Sequence, residues 1–345
     1  MNKYHRYSGV IHVHSRYSDG LSDVPTIIKA ARQANCDYLI VSDHDTLRPF
    51  SCQGWYDKTI LLVGEEITVK DNGGHYLALG INTVVPPGGD AQQTIDEVAD
   101  QGGIGIIAHP FSEKREDRFK LTPVEWQNWD VVGFNGMEIW NYSHDWIDNF
   151  RFPISLIRPE VYIEGPPAEV FKKWDKLLQK RRVVGIGSVD AHGYFYSYRR
   201  MFKALRTHLF LEAPLSFKSA YFERDKYLIY RAIKRGNCYF SYDHLAPSDG
   251  FIYWAHNGIR PVIMGDVIKG DRGVTLRVSI PERALVRIIN RGRVVASADN
   301  TQTLKKKVYK TGAYRVEVLL NTYKGVRKAY RPWIYSNPIY VKASA

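Results

Sequence analysis

Cysteine is scarce in this chain of 345 residues: Cys36, Cys52 and Cys238 are odd in number and far apart. That argues against a disulfide framework and a Cys-x-x-Cys zinc site. Long apolar runs are also missing, and none approaches the ~18 residues of a membrane-spanning helix. The opening MNKYHRYSGV carries no apolar segment of the secretory kind, so a cytoplasmic, membrane-free protein is expected. Wholesale disorder does not fit 44% hydrophobic and 24% charged residues. Acidic residues run short in one region. Residues 249–345 hold 18 Lys+Arg against 6 Asp+Glu, which accounts for the whole formal charge of +12, whereas residues 1–248 balance at 30 against 30.

The charge step coincides with a change of texture at the turn-rich APSDG (246–250), so two domains are expected, 1–248 and 249–345. In the first, apolar strand-like runs alternate with helical ones. VIHVH precedes SDVPTIIKAARQAN, where Pro25 suits a first helical turn and Ile27, Ile28, Ala31 and Ala34 make an apolar stripe. Later, PAEVFKKWDKLLQK lines up Val170, Phe171, Trp174, Leu177 and Leu178 ahead of VVGIGSVDAHG. Strand alternating with helix predicts an α/β parallel sheet or barrel. Beyond residue 250 the period becomes two. Leu276, Val278 and Ile280 alternate with Thr275, Arg277 and Ser279, and Tyr314, Val316 and Val318 alternate with Arg315 and Glu317. With turns at NRGRV and KTGAY, that predicts a small antiparallel β-sandwich.

What the chain does have is histidine and carboxylate at strand ends. His12 and His14, two apart on one strand face, end VIHVH, and Asp19 follows in the loop. His44 ends the run SDH, one of the Glu65–Glu66 pair ends GEEIT, and His75 opens HYLALG. His109 ends AHP, and Asp190 and His192 close DAH. In an α/β barrel the strand C-termini converge on one mouth, so these residues are expected to meet there. Unpaired polar groups are costly in an apolar setting, so no packing need gathers six of eleven histidines at such ends. Imidazole and carboxylate are ligands for Zn, Mn or Fe, and nine such side chains suffice for two or three divalent ions.

The ordered motifs HVHSRYSDG, SDHDT, GEEIT, HYLALG, AHP and DAH resemble those of the polymerase-and-histidinol-phosphatase (PHP) metallohydrolases over residues 8–240. The resemblance implies a distorted (β/α)7 barrel of PHP type, here followed by an immunoglobulin-like sandwich. It implies one ion on His12, His14, Glu66 and Asp190, a second on Glu66, His75 and His109, and a third on Asp19, His44 and His192. The family's Gly-x-Glu spacing selects Glu66 over Glu65. The run GSVDAH departs from the family's Gly-Ser-Asp-Ala-His by Val189 before Asp190.

The resemblance implies hydrolysis of a phosphomonoester or short phosphodiester as the function, with a hydroxide shared by closely spaced ions as the expected nucleophile. Asp19 and His192 are the candidate acid–base pair. Arg16 and Arg48 are the candidate phosphate contacts, since a guanidinium fork matches phosphate oxygens, with Lys114 and Arg115 behind them. Glu138 and Asn141 in GMEIWN are candidates to orient ligand imidazoles. His144 reads as a plain loop histidine and His208 as a packed core one, while the aromatic insertion 144–167 is expected to wall the mouth. Two rivals stand beside this reading. One is a carboxyl-ester or carbamate hydrolase on the same site, which is what the resemblance of the ending RPWIYSNPIYV to the last strands of a family subgroup with an appended sandwich implies. The other is a nucleic-acid-binding protein with a structural metal centre. Small phosphorylated molecules or short oligonucleotides are the expected partners. LKKKVYK (304–310) and TYKGVRKAYR (322–331), basic and interleaved with tyrosine, offer nucleic acid a second contact.

Overall fold

The structure is a computed structural model that describes residues 4–70, 73–111, 125–270, 273–324 and 327–343. The α/β part comprises β1 (His5–Val10), α1 (Val24–Gln33), β2 (Tyr38–His44), β3 (Gly54–Tyr56), β4 (Thr59–Thr68), β5 (His75–Leu79), α2 (Ala91–Asp100) and β6 (Ile104–Ile107). It continues through β7 (Gly136–Asn141), α3 (Tyr142–Asp148), α4 (Ile154–Ile157), α5 (Ala168–Leu178), β8 (Val184–Ser188), α6 (Tyr198–Met201), β9 (Leu205–Leu211), α7 (Phe222–Arg235) and β10 (Cys238–Tyr242). The strand-rich part follows as β11 (Ile252–His256), β12 (Pro261–Ile263), β13 (Val267–Lys269), β14 (Val274–Asn290), β15 (Arg293–Val308), β16 (Gly312–Lys324), β17 (Arg327–Ser336) and β18 (Ile339–Lys342).

Local chemistry sets the element ends. The Asp23 carboxylate accepts the Thr26 N–H at 3.0 Å and caps α1, Pro25 occupies its first turn, and Val24, Ile27, Ile28 and Ala31 face inward. Helix α7 stops where Gly236 adopts φ 74°, a left-handed conformation that glycine reaches without steric cost. Strands bury alternate residues in two separate clusters. Tyr38, Ile40, Ile60, Leu62, Leu77 and Leu79 fill one, whereas Leu39, Val41, Leu61, Val63, Tyr76 and Ala78 meet the helices in the other. Among the described residues no helix is long and apolar enough to cross a membrane.

The sheet is mixed, which the sequence did not foretell. β1–β2, β2–β4, β6–β7 and β7–β8 pair in parallel, but β4–β5 and β5–β6 are antiparallel. Only a short segment separates β4 from β5, too short for a parallel crossover, so β5 must return antiparallel. Reversal brings its first residue, His75, opposite Thr68, the last residue of β4. His75 thereby reaches the edge where the parallel strands place their last residues.

The two ends of this sheet meet at that edge. The Val189 N–H donates to the Ile11 carbonyl (3.2 Å), Ala191 N–H to His12 (3.2 Å) and His14 N–H to Ala191 (3.0 Å). Lower down, β1 pairs with β9 instead, β9 with β10 and β10 with β17. The two parts therefore share one continuous hydrogen-bonded sheet. β14 and β15 form a long hairpin over Arg291–Gly292, and Leu276, Val278, Val286, Ile288, Val316 and Trp333 fill the core beneath. Arg315, which alternates with the apolar Tyr314 and Val316, does not lie on a solvent face. It is buried, with Nε and Nη2 donating to Asp175 of α5 at 2.9 and 2.8 Å, because the strand-rich part lies directly on that helix.

Candidate metal centre

Extending β1 past Val10 brings His12 and His14 to the mouth, where His12 takes φ 68°. His109 (φ 25°) and Asp190 (φ 49°) also lie at positive φ, a region that costs non-glycine residues energy and that folded chains keep chiefly at functional positions. At Asp190 this turn accommodates the extra Val189, which is buried and hydrogen-bonded to β1's extension, while the carboxylate points back at the histidines.

Glu66, at the end of β4, lies between two groups of imidazoles. Its Oε2 is 2.9 Å from His12 Nε2, 3.1 Å from His14 Nε2 and 3.4 Å from His44 Nδ1. Its Oε1 is 2.9 Å from His75 Nδ1 and 3.0 Å from His109 Nε2. Asp190 Oδ1 lies 3.4, 3.3 and 3.5 Å from His12, His14 and His192. Asp19 Oδ2 is 3.2 Å from His192 Nε2 and 3.9 Å from His44 Nε2. The structure thus brings all nine sequence-selected side chains together, in overlapping groups whose donor atoms could each hold a cation. Glu65 points away, and its Oε2 accepts the Val85 N–H at 3.0 Å.

The donor set fits a metal on its own chemistry. His12 Nδ1 donates to Glu138 Oε1 at 2.7 Å, which leaves Nε2 as the bare nitrogen. That Nε2 and His14 Nε2 are buried beside carboxylate oxygens yet make no hydrogen bond. Lone pairs converging on one point demand a proton or a cation between them. The electrostatics agree. Burial opposes charge on His12, His14 and His109, but the surrounding carboxylates outweigh it and raise all three, His14 to about 9. Burial likewise opposes charge on Glu66 and Asp190, yet the histidines hold both well below the usual carboxylate range. Asp19, half-exposed at the rim, is lowered to about 2 because its pairing with His192 outweighs its burial.

A second layer holds these groups in place. Glu138 Oε2 accepts the His109 N–H (2.7 Å) and the Asn141 side-chain amide (3.0 Å), which also donates to Asp190 Oδ2 at 3.1 Å. The Asn141 carbonyl oxygen caps α3 by accepting the His144 N–H. Asp43, which the sequence reading passed over, is buried and accepts from Ser15 N–H, Ser15 Oγ and Ser18 Oγ, each at 2.7 Å, fixing the loop after His14. The first serine-aspartate of SDHDT was its only signal.

His144 is not the plain loop histidine expected. Its ring stacks on His109 at 4.4 Å and 9°, with Nε2 3.6 Å from Asp190 Oδ2, because α3 starts directly at the end of β7. Beside it opens a cavity of 210 Å³ bounded by His109, Asn141, His144, Asn149 and Glu164, so part of the 144–167 insertion does wall the centre. His208 is buried, as read. Arg16 and Arg48 are both exposed. Arg16 Nε donates to the Leu21 carbonyl (2.8 Å), and the Arg48 guanidinium lies 5.3 Å from the Tyr17 ring. Lys114 and Arg115 fall outside the described residues.

No family model matches the chain. An uncharacterized protein of Methanocaldococcus jannaschii is 26% identical over 116 residues, 30% of this chain and 67% of its own. Among solved structures, a two-domain protein from Bacteroides vulgatus containing a predicted PHP-like metal-dependent phosphoesterase is 15% identical, covers 96% of both chains and has a TM-score of 0.46. A Bifidobacterium adolescentis protein assigned as a metal-dependent phosphoesterase is 16% identical, over 53% of this chain and 87% of that one, with a TM-score of 0.37. An amidohydrolase from Chromobacterium violaceum is 15% identical over the same shares, with a TM-score of 0.35.

Proposed function

We propose that this chain is a metal-dependent hydrolase of the PHP type, and within that class a phosphoesterase for a phosphomonoester or short phosphodiester. The observation that carries the reading is Glu66, whose two oxygens divide between His12/His14 and His75/His109. A carboxylate shared in this way suits two neighbouring divalent cations, and Asp19, His44 and His192 suit a third. When bound, Zn, Mn or Fe ions would supply Lewis-acid charge and acidify a water toward neutrality.

The chain's own groups do the rest. Glu138 and Asn141 hold His12, His109 and Asp190 in their orientations. His192 Nδ1 is 3.1 Å from the Asp190 carbonyl oxygen, and donating there leaves Nε2 to exchange a proton with Asp19 Oδ2 at the rim. When no third ion sits on Asp19, His44 and His192, that pair is placed to protonate a leaving oxygen. We read the curled mixed sheet as the family's distorted seven-stranded barrel, residues 1–248 and 249–345 as two domains that share it, and the cytoplasm as the location.

The test is turnover of p-nitrophenyl phosphate, bis-p-nitrophenyl phosphate and p-nitrophenyl acetate after loading with Mn²⁺ or Zn²⁺, with bound metal measured in parallel. Phosphate-ester turnover that disappears in Asp190→Asn is expected. Acetate turnover alone, lost in the same variant, would transfer the proposal to carbonyl hydrolysis. Metal uptake without turnover of any substrate would favour the binding-protein reading.

A further inference from the structure

The basic excess of the last hundred residues has no role in the hydrolytic centre, and part of it is organised on one sheet face. Directly opposite residues in antiparallel strands share a face. Across β11, β14 and β15 the register therefore sets Trp254, Arg277 and Lys305 in one row and His256, Thr275 and Lys307 in the next. The adjoining row is Ile252, Ser279 and Thr303, so the three rows contain no carboxylate.

The aromatic groups are contiguous. Trp254 and His256 have ring centroids 5.4 Å apart at 31°, and the Arg277 guanidinium lies 5.5 Å from the Trp254 ring. Past the end of β15, Lys307 Nζ lies 5.3 Å from the exposed ring of Tyr309. A shallow depression of 340 Å³ adjoins the tryptophan, lined by Trp254, His256, Gly258, Ile259, Arg260 and Pro261, with Ile259 89% exposed. Among the described residues no carboxylate pairs with Arg277, Lys305 or Lys307, and the buried Nε of Arg277 has no acceptor.

Edge lysines that discourage sheet-to-sheet aggregation would account for Lys305 and Lys307 on β15. They do not account for a partly open tryptophan on β11, carrying an arginine that lacks an acceptor. Cations that track a phosphate backbone beside aromatic rings that take bases are the two components of single-strand recognition. We propose that this outer face of β11, β14 and β15 binds single-stranded nucleic acid, with one base seated at Trp254 and the backbone running over Arg277, Lys305 and Lys307. Tyr323 and Lys328, by contrast, pair with each other across the β16–β17 hairpin.

The experiment is fluorescence anisotropy of a labelled 12-residue oligo(dT) with the full chain in EDTA, which separates binding from any turnover. Wild type should bind. Trp254→Ala should weaken binding about 5- to 150-fold, the range for loss of one base–aromatic stack, and Trp254→Phe should restore most of it. Lys305→Gln/Lys307→Gln should flatten the log–log salt slope by about 1.4, at about 0.7 for each lost phosphate contact. All variants should keep the wild-type circular dichroism and, measured before EDTA is added, the wild-type metal content. Absence of binding by wild type at 50 mM salt would overturn the proposal. So would equal binding by wild type, Trp254→Ala and the double glutamine variant, or competition by dextran sulfate as effective as by unlabelled oligo(dT). Because none of these residues touches the metal centre, the outcome is independent of the turnover panel.

Discussion

At the scale of single residues, the field that holds protons on the buried histidines is the field that would hold cations. In the ion-free protein His14 is raised to about 9, so at pH 7 it carries a proton that an entering metal must displace. The sign follows directly. The stability that protonated His14 contributes is fully present below the unfolded value of about 6.5 and is lost as pH rises through about 9. Titration calorimetry of Mn²⁺ binding in buffers of differing ionisation enthalpy should therefore show proton release at pH 7 that shrinks above pH 9. Glu138 gives a second check. Glu138→Gln removes the charged acceptor of His12 Nδ1, and metal affinity should fall about 10- to 100-fold in a competitive chelator assay, with the fold retained. These candidate ligands were legible because each sits in a short motif beside an apolar run. Asp43 and His144 were not, since their partners Ser15, Ser18, His109 and Asp190 come from other strands and only the folded chain shows them.

At the scale of elements, the alternation of strand and helix announced an α/β part, and period two announced the strands after residue 250. Strand direction was less visible. HYLAL reads equally well as a parallel or an antiparallel strand, and only the short connection from β4 decides that β5 reverses. The strand after it is sensitive to a single methyl. A Cβ at Gly105 of β6 would lie 1.7 Å from the Tyr76 hydroxyl and 2.2 Å from its Cζ. Gly105→Ala should therefore cost about 1–3 kcal/mol in urea unfolding, and Tyr76→Phe should not rescue it, because the ring carbon itself is in the way. A Gly105→Ala variant as stable as wild type would show that β5 and β6 are not held at this separation.

At the scale of the whole molecule, composition marked a boundary near residue 248 that the hydrogen bonding crosses. Arg315, which alternates with apolar residues along β16, is the plainest instance. Its guanidinium is bidentate on Asp175, bonded to Glu317 at 2.6 Å, and lies against Phe171 and Trp174. Alternation predicts which face a residue takes, not whether another layer covers that face. Arg315→Ala should cost about 3–5 kcal/mol in chemical denaturation, since Asp175 would stay buried and unpaired, and Arg315→Met/Asp175→Leu should recover much of that loss.

The pairing of β10 with β17 also has a consequence for synthesis on the ribosome. When the α/β part has left the exit tunnel, β10 presents an edge whose partner, Ile334 to Ser336, has yet to be translated. Until then the nascent chain carries an open template for any passing strand. Its maturation thus waits for the codons of β17, and a stop codon placed at the compositional boundary would release a protein missing one wall of its own sheet.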